Sequence, residues 1–323
     1  MINYNILIKA LKKEPLKKIV FSEGSEIRVI KAAINLAKKN IIIPILLSDE
    51  KTVKKVCKEH FLELHQGIQF LNPNSFSEKK RKKFIDETLK LRQNKNSKEE
   101  IEKWFYEPNY FSVMLVQFGY ADGVIGGANF STADTIRPAF QIFKADRFAS
   151  SSMILSTNEK AVIFTDCAIM LDPNGQELAE IAKRGANLYQ KIFYKKPVVG
   201  FLSYSTKGSG NDTNVPKIKE AINILKNDQV DFIFSGEFQF DAAFSSRVAK
   251  KKCNDDKAAG HVNVFVFPNL VSANIGYKIA QLMGNWNVVG PIISGIKKPI
   301  FDLSRGCTAE EVFNLSIILA YLI

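Results

Sequence analysis

Apolar residues along this chain come in two rhythms. Short runs rich in Val, Ile and Phe predict strands: "KIVF" (18–21), "IIIPILL" (41–47), "DGVIGG" (122–127), "AVIFT" (161–165), "PVVGFLSY" (197–204), "DFIFSG" (231–236), "VNVFVFP" (262–268) and "NVVGPII" (287–293). Between them, apolar residues recur every three or four positions, which predicts helices over 26–39, 77–92, 131–144, 175–193, 215–227, 272–283 and 308–322. Strand–helix alternation argues for an α/β protein with largely parallel sheets. A length of 323 residues exceeds one average domain and suits two. No fixed-period repeat and no low-complexity linker interrupts the pattern. In open α/β sheets ligands sit beyond the carboxyl ends of strands, and clefts between domains are favoured sites.

Composition narrows the class. Apolar residues make up 46% and charged residues 24%, as in ordinary soluble globular proteins. The longest apolar tract, "VFNLSIILAYLI", is short of the roughly 20 residues a membrane span needs and reads as a buried helix. The first residues lack the long apolar core of a secretory signal, so a cytoplasmic protein with reduced thiols is expected. Cys57, Cys167, Cys253 and Cys307 form no CxxC pair and only three histidines exist, so no metal site is expected. The net charge of +12 admits nucleic acid, a membrane surface or small anionic substrates. Lysine supplies most of it, and the densest run, "EKKRKKF" (78–84), reads as a solvated helix face. Only eight arginines occur, and arginine is the better fork for carboxylate and phosphate, so each position merits inspection.

Four stretches carry candidate chemistry. In "GVIGGANFSTADTIRPAF" (123–140) a strand ends at Gly126-Gly127, then Ser131, Thr132 and free amides open a helix that carries Arg137. That arrangement suits an anion, and equally a plain strand–turn–helix capped by Ser131 or Thr132. "GFLSYSTKGSGNDTNVP" (200–216) is a glycine loop at a strand end, a ligand wall or more simply a mobile surface loop. "SGEFQFDAAF" (235–244) places Glu237, Gln239 and Asp241 after a strand, where they face a ligand or cap a helix. In "FDLSRGCTAEEV" (301–312), Thr308 to Glu311 reads as a capping box, which leaves Ser304-Arg305-Gly306 unexplained. A rare arginine beside glycine before a helix start suits an anion.

These stretches, in this order, resemble the phosphate acetyl/butyryltransferase family, and its phosphate acetyltransferases most. The likeness rests on "ADGVIGGANFSTADTIRPAFQI", "TDCAIMLDPNGQELAEIA", "FLSYSTKGSG", "GEFQFDAA", "FPNLVSANIGYKIAQ" and "GPIISGIKKPIFDLSRGCTAEEV", and is strong from about residue 108 onward. It implies two α/β domains similar to the isocitrate dehydrogenase group, 1–147 with 295–323 and 148–294, with the active site in the cleft between them and a homodimer as the assembly. It implies the reaction acetyl-CoA + phosphate = coenzyme A + acetyl phosphate, with no cofactor or metal beyond these substrates and no nucleic-acid or membrane partner. Residue by residue, the resemblance puts the catalytic serine on Ser304 and the transition-state arginine on Arg305. It puts site arginines on Arg137 and Arg92, and substrate contacts on Ser131, Thr132, Cys167, Tyr277 and Lys278. The family's aspartate base, seven residues after the serine, is Glu311 here, one methylene longer. Ser112-Val113 replaces the family's usual Gly-Thr, and the last helix is expected to be clipped.

The implied chemistry is direct attack by the coenzyme A thiolate on acetyl phosphate in a ternary complex. Alternatives are a longer acyl chain, as in a phosphate butyryltransferase, or a polyanion-binding protein without activity. The second lacks an RNP-type motif or helix–turn–helix, and an NAD-dependent dehydrogenase would lack its GxGxxG after the first strand.

Overall fold

The computed structural model of the chain describes residues 2–93, 95–143, 145–210 and 213–323, with the backbone alone at 145 and 146. Residue 144 of the expected helix 131–144, and residues 211 and 212 of the glycine-rich stretch, lie outside the described residues. The chain divides into two units, one formed by Tyr4–Phe148 with Gly295–Ile323 and the other by Ala149–Ser294 together with the residues up to Asn3, which the expected boundaries put in the first.

The first unit opens with α1 (Tyr4–Leu11), β1 (Lys18–Phe21), α2 (Ile27–Lys38), β2 (Ile43–Leu47), α3 (Glu50–Glu59) and β3 (Gln69–Leu71). It continues through α4 (Glu78–Arg92), α5 (Lys98–Tyr106), α6 (Pro108–Gln117), β4 (Gly123–Gly126) and α7 (Thr132–Ile142). The second unit holds β5 (Ala145–Ser156, which begins in the first), β6 (Ala161–Thr165), α8 (Gly175–Phe193), β7 (Val198–Leu202), α9 (Asn214–Asn227) and β8 (Ile233–Phe238). After these come α10 (Phe240–Phe244), α11 (Ser246–Lys252), β9 (Val264–Val266), α12 (Leu270–Leu282) and β10 (Asn287–Ile296). The chain then returns to the first unit as β11 (Ile300–Asp302) and α13 (Ala309–Leu322).

Strand order in the first unit is β3-β2-β1-β4-β11, every neighbouring pair parallel. The last strand therefore lies beside β4, with Asp302 opposite Gly126. In the second unit β6-β9-β7-β8 are parallel, and β5 pairs antiparallel with β6. This is the α/β class that the alternation predicts, with β5 and β6 antiparallel.

The apolar tract at 312–323 is the buried helix expected of it. Val312, Leu315, Ile317, Ile318 and Leu319 of α13 are all 0–2% exposed, each worth roughly 1.5–3 kcal/mol of burial. Gly123 lets this helix close on β4, since a Cβ there would stand 3.1 Å from the Leu319 side chain. Phe76, Phe84, Phe105 and Phe111 meet mostly edge-to-face and lock α4, α5 and α6 together. Among the described residues no helix is long and apolar enough to cross a membrane.

Hydrophobic rhythm does not reveal α1, α3, α5, α6, α10 or α11, nor β3, β5 and β11. The β5 sequence reads as polar because Ser150, Ser151 and Ser152 sit in it, yet all three are buried. Ser152 Oγ donates to Thr165 Oγ1 at 3.2 Å, and Thr165 Oγ1 donates to the Ser151 carbonyl at 2.8 Å. The Ser151 hydroxyl donates to the Asp166 carboxylate. Cross-strand partners make a polar strand interior tolerable. The stretch before Ser304 is a strand, β11, which its own pattern does not mark, and the next helix starts at the Thr308 cap as expected.

Candidate active site

Glutamate 23 organises the turn after β4. Its carboxylate, 8% exposed, accepts the amides of Ala128 (3.1 Å), Asn129 (2.6 Å) and Phe130 (3.3 Å). The concave run of amides that the glycines open is thus filled by an internal anion. Gly127 takes φ +97°, and a Cβ there would strike the Asp302 carboxylate and stand 2.9 Å from the Leu303 carbonyl. Ser131 is the N-cap of α7, accepting the Asp134 amide at 3.2 Å and donating to Asp134 Oδ2 at 2.6 Å. Thr132, the first helical residue, is exposed. Arg137, also exposed, lies 3.5 Å from Asp134 Oδ1.

The second turn follows β11. Leu303 donates to the Gly126 carbonyl at 2.7 Å, which carries the ladder one residue past the strand. Ser304, Arg305 and Gly306 then stand exposed, closed by Cys307 N–H donating to the Ser304 carbonyl at 2.9 Å. Ser304 Oγ accepts the Gly306 amide at 3.3 Å, which leaves its proton to donate outward. The capping box is real: Glu311 accepts the Thr308 amide at 2.6 Å, and Thr308 Oγ1 accepts the Glu311 amide at 3.1 Å. Burial pushes the Cys307 thiol up to about 11 against the opposing pull of Arg28, so it is protonated at neutral pH.

Arg28, on the first turn of α2, ties the two turns together. Its guanidinium donates to the Arg305 carbonyl (2.8 Å), the Cys307 carbonyl (3.1 Å), the Ala128 carbonyl (2.9 Å) and Asn129 Oδ1 (3.2 Å). Nε completes the set with Glu26 at 2.7 Å. Beneath this lies Asp302, 1% exposed, neither of whose carboxylate oxygens has a hydrogen-bond partner of acceptable geometry among the described residues. Burial raises it to about 6; the nearby hydroxyls of Thr132 and Thr135 and the Leu303 amide pull it part of the way back, and the charge of Glu23 pushes it further up.

Arg92 ends α4. It donates to Asn96 Oδ1 at 2.8 Å and to the Gln141 carbonyl at 2.7 Å, and its guanidinium lies 6.0 Å from the Trp104 ring. Gln141 Oε1 in turn accepts the Tyr110 hydroxyl at 2.5 Å. Burial raises the Tyr110 phenol, while the charges of Arg137 and Arg92 both lower it, so these two arginines share one neighbour. Arg92 and Tyr110 thus share Gln141, with the charge of Arg137 felt at Tyr110, while Arg28 joins the Arg305–Cys307 turn to Ala128–Asn129. Both groups lie in the first unit, linked by α7.

The remaining expected residues are in the second unit. Cys167 is wholly buried among core residues, and burial pushes its thiol well above the ordinary value, with Asp166 adding to the rise. Tyr277 packs partly buried against the same core, and Lys278 is exposed beside its ring on α12. The described residues of the glycine loop at 203–210 are firmly tied down. Glu237, 2% exposed, accepts Ser205 Oγ at 3.1 Å and the Gly208 amide at 2.6 Å. Thr206 Oγ1 accepts the Gln239 amide at 2.9 Å, and Lys207 reaches Asp256 at 2.8 Å. Two stretches that read separately in the sequence form one network.

Sequence reasoning missed Arg28, Glu23 and Asp302. Arginine scarcity pointed to Arg28 in a general way; nothing local marked the other two. Among the described residues no group of three His, Cys, Asp or Glu could hold a metal ion.

Comparison with known proteins identifies the family. The family model described as "Phosphate acetyl/butaryl transferase" matches residues 1–320. The chain is 42% identical to the phosphate acetyltransferase of Bacillus subtilis, over 94% of each chain. It superposes on the EutD phosphotransacetylase from Staphylococcus aureus with TM-score 0.86 at 39% identity, covering 99% of this chain and 98% of that one. A phosphotransacetylase from Streptococcus pyogenes gives TM-score 0.89 at 39% identity, covering 98% of each. With a match across nearly its whole length, the chain belongs to the phosphate acetyl/butaryl transferase family.

Proposed function

We propose that the protein is a cytoplasmic phosphate acetyltransferase of isocitrate dehydrogenase-like fold, converting acetyl-CoA and phosphate to coenzyme A and acetyl phosphate, and the reverse. The observation that carries the reading is the joining of two exposed turns by Arg28, in a chain 42% identical to a phosphate acetyltransferase. One turn presents Ser304 and Arg305, and the other opens α7 with Ser131, Thr132 and Arg137 one turn further on.

In the direction of acetyl-CoA formation, a coenzyme A thiol with a pKa near ~8.5 is only a few per cent thiolate at pH 7. Glu311 takes its proton. One oxygen of Glu311 is held by the Thr308 amide and the other is open, and general-base help is worth about 10²–10⁴-fold. The thiolate attacks the acetyl carbonyl. Ser304 donates to the developing oxyanion, a contribution of about 3–4 kcal/mol for one such donor. The carbon–oxygen bond to phosphorus breaks, the electron pair leaves with phosphate, and Arg305 and Arg137 neutralise it, with Arg92 behind them. Holding both substrates together supplies up to about 7–11 kcal/mol more. Cys167, Tyr277 and Lys278 are proposed as coenzyme A contacts of the second unit; the burial of Cys167 makes its role that of a wall rather than a nucleophile.

The assembly proposed is a homodimer. Val271, Ile275, Ile279 and Leu282 of α12 are each 52–78% exposed and recur along one helix face. A charge-free aliphatic row of this kind fits a second copy of itself, since an apolar row meets its symmetry mate without repulsion.

The test is a thiol-release assay with acetyl-, propionyl- and butyryl-CoA plus phosphate. Acetyl-CoA should be cleaved fastest, in a phosphate-dependent way. Preference for butyryl-CoA would move the enzyme to the other branch of its family. No phosphate-dependent release from any of the three would defeat the reading.

A further inference from the structure

A carboxylate buried without a partner weakens a fold. Transferring a charged group from water to an apolar interior is expensive unless hydrogen bonds replace its hydration. Asp302 is such a group: 1% exposed, both oxygens without partners among the described residues. An asparagine or leucine would serve the strand better. Its neighbours are not random. Two residues on stands Ser304, and across the ladder lies Gly126. The Gly127 turn closes directly over its Oδ1, and the hydroxyls of Thr132 and Thr135, on the first turn of α7, face it. From the start of α6 comes a second acceptor without a partner among the described residues, Asn109 Oδ1, which a Cβ on Gly126 would approach to 3.5 Å.

Resting on the reading of a phosphate acetyltransferase, we infer that Asp302 is a positioning residue of the transfer site, whose buried carboxyl sets the spacing between the Ser304–Arg305 turn and the first turn of α7. It touches neither substrate. It acts through Gly127 above it and through the hydroxyls of Thr132 and Thr135 beside it. Glu23 after β1 is the charge that acts on Asp302 directly; the other charged groups of the two turns and the elements packed on them are Glu26 and Arg28 at the start of α2, Asp134 and Arg137 on α7 and Arg305 before α13, and Cys307 is a protonated thiol. Arg28 is committed to Glu26 and to the loop acceptors, and Glu23 to the amides of residues 128–130, so neither offers Asp302 a bond.

The sign of its effect on stability separates this role from ordinary structural support. Burial raises the folded-state value to about 6, above the ordinary carboxyl value of about 3.9. A raised carboxyl favours the protonated folded state, so the fold is best served below the unfolded value and loses stability as pH rises from about 4 to about 6. At pH 8 the wild type carries the whole penalty. Asp302→Asn removes the charge at nearly constant volume, so it should melt higher than wild type at pH 8 and about equally at pH 4.

The experiment measures melting temperature from pH 4 to 8.5, and phosphate-dependent coenzyme A release from pH 5 to 8.5, on wild type, Asp302→Asn and Thr132→Val. Expected are a higher melting temperature for Asp302→Asn at pH 8, at least a tenfold fall in kcat/KM for phosphate, and loss of an inflection near pH 6 that the wild type shows. Thr132→Val should share the kinetic fall without the gain in stability. Wild-type kinetics in Asp302→Asn, or activity lost together with a lower melting temperature at pH 8, overturns the inference. An inactive wild type would instead sink the functional reading beneath it, and the melting comparison would still judge the buried charge by itself.

Discussion

Replacing Arg28 by methionine should loosen the candidate site more than it weakens the fold. The guanidinium makes four bonds to acceptors on two turns and an ion pair with Glu26, while its side chain is 24% exposed. A hydrogen bond from a charged donor is worth about 1.5–3 kcal/mol when buried, and an exposed ion pair about 0–1 kcal/mol. Water can reach part of this corner and will rehydrate some of the freed carbonyls, so the net loss should be about 2–3 kcal/mol rather than the full sum. For a protein this size that corresponds to a fall of roughly 4–12 °C in the transition of the first unit. The kinetic effect should be larger. The Arg305 and Cys307 carbonyls are the anchors of the turn that presents Ser304, and a misplacement of about 1 Å can lower a rate by about 10². Arg28→Lys should fall between wild type and methionine, because one ammonium cannot reach acceptors arranged for a fork. Urea unfolding followed by circular dichroism reads the first effect, and coenzyme A release reads the second. If the methionine variant unfolds with the wild type and keeps its kcat/KM, something other than Arg28 holds the turns, and the argument built on its contacts fails.

Arg305→Lys should keep its melting curve, because the side chain is exposed, and lose about 10–100-fold in rate as a bidentate charged contact is lost; unchanged turnover would remove Arg305 from the site. Glu311→Gln can still accept the Thr308 amide, so its stability should stay within a few tenths of a kcal/mol while the rate collapses; Glu311→Ala should lose about 1 kcal/mol as well. A glutamine variant with normal turnover would leave Glu311 a cap and nothing more. Thiol labelling of the native protein at pH 8 should be slow at Cys167 and Cys307, whose burial raises both thiols, and fastest at the half-buried Cys253; rapid native labelling of Cys167 would contradict its burial. Ile275→Glu combined with Ile279→Glu should turn a dimer into a monomer by light scattering, and an unaltered mass would take α12 out of the interface.

What was legible in the sequence was what neighbours in the chain decide. The alternation of apolar runs marks β1, β6 and β7, and amphipathic spacing marks α2, α8 and α9, because each pattern repeats within one element. The caps were legible for the same reason: Thr308 and Glu311 are three residues apart, as are Ser131 and Asp134. Short strands escape this logic. β11 has three residues and owes its existence to pairing with β4, not to its own pattern. The glycine turn reads equally as an anion holder or a plain capped turn, and the carboxylate it holds is that of Glu23, 105 positions from Ala128. Arg28 and the Arg305 carbonyl are 277 positions apart. No window along the chain contains both ends of such a contact. Asp302 is hidden in a further way, since its defining property is a missing partner, and an unpaired aspartate looks like any other in a list of residues.

The contacts of Glu23 change what the glycine turn can do. Amides already donating to an internal carboxylate cannot also cradle phosphate, so positive charge for an incoming anion has to come from elsewhere. Near the two turns that means Arg305, Arg137 and the first turn of α7, because Arg28 is spent on Glu26 and on backbone carbonyls. Against these stand Glu23, Glu26, Asp134 and Asp302. Without adjustment such a corner is poorly disposed to a dianion. A lysine-rich surface does not cure this, since exposed lysines are screened within about 8–10 Å at physiological salt. Phosphate has to be held against that field by the side chains of Arg305 and Arg137, so losing either fork should cost more here than it would in a uniformly basic pocket.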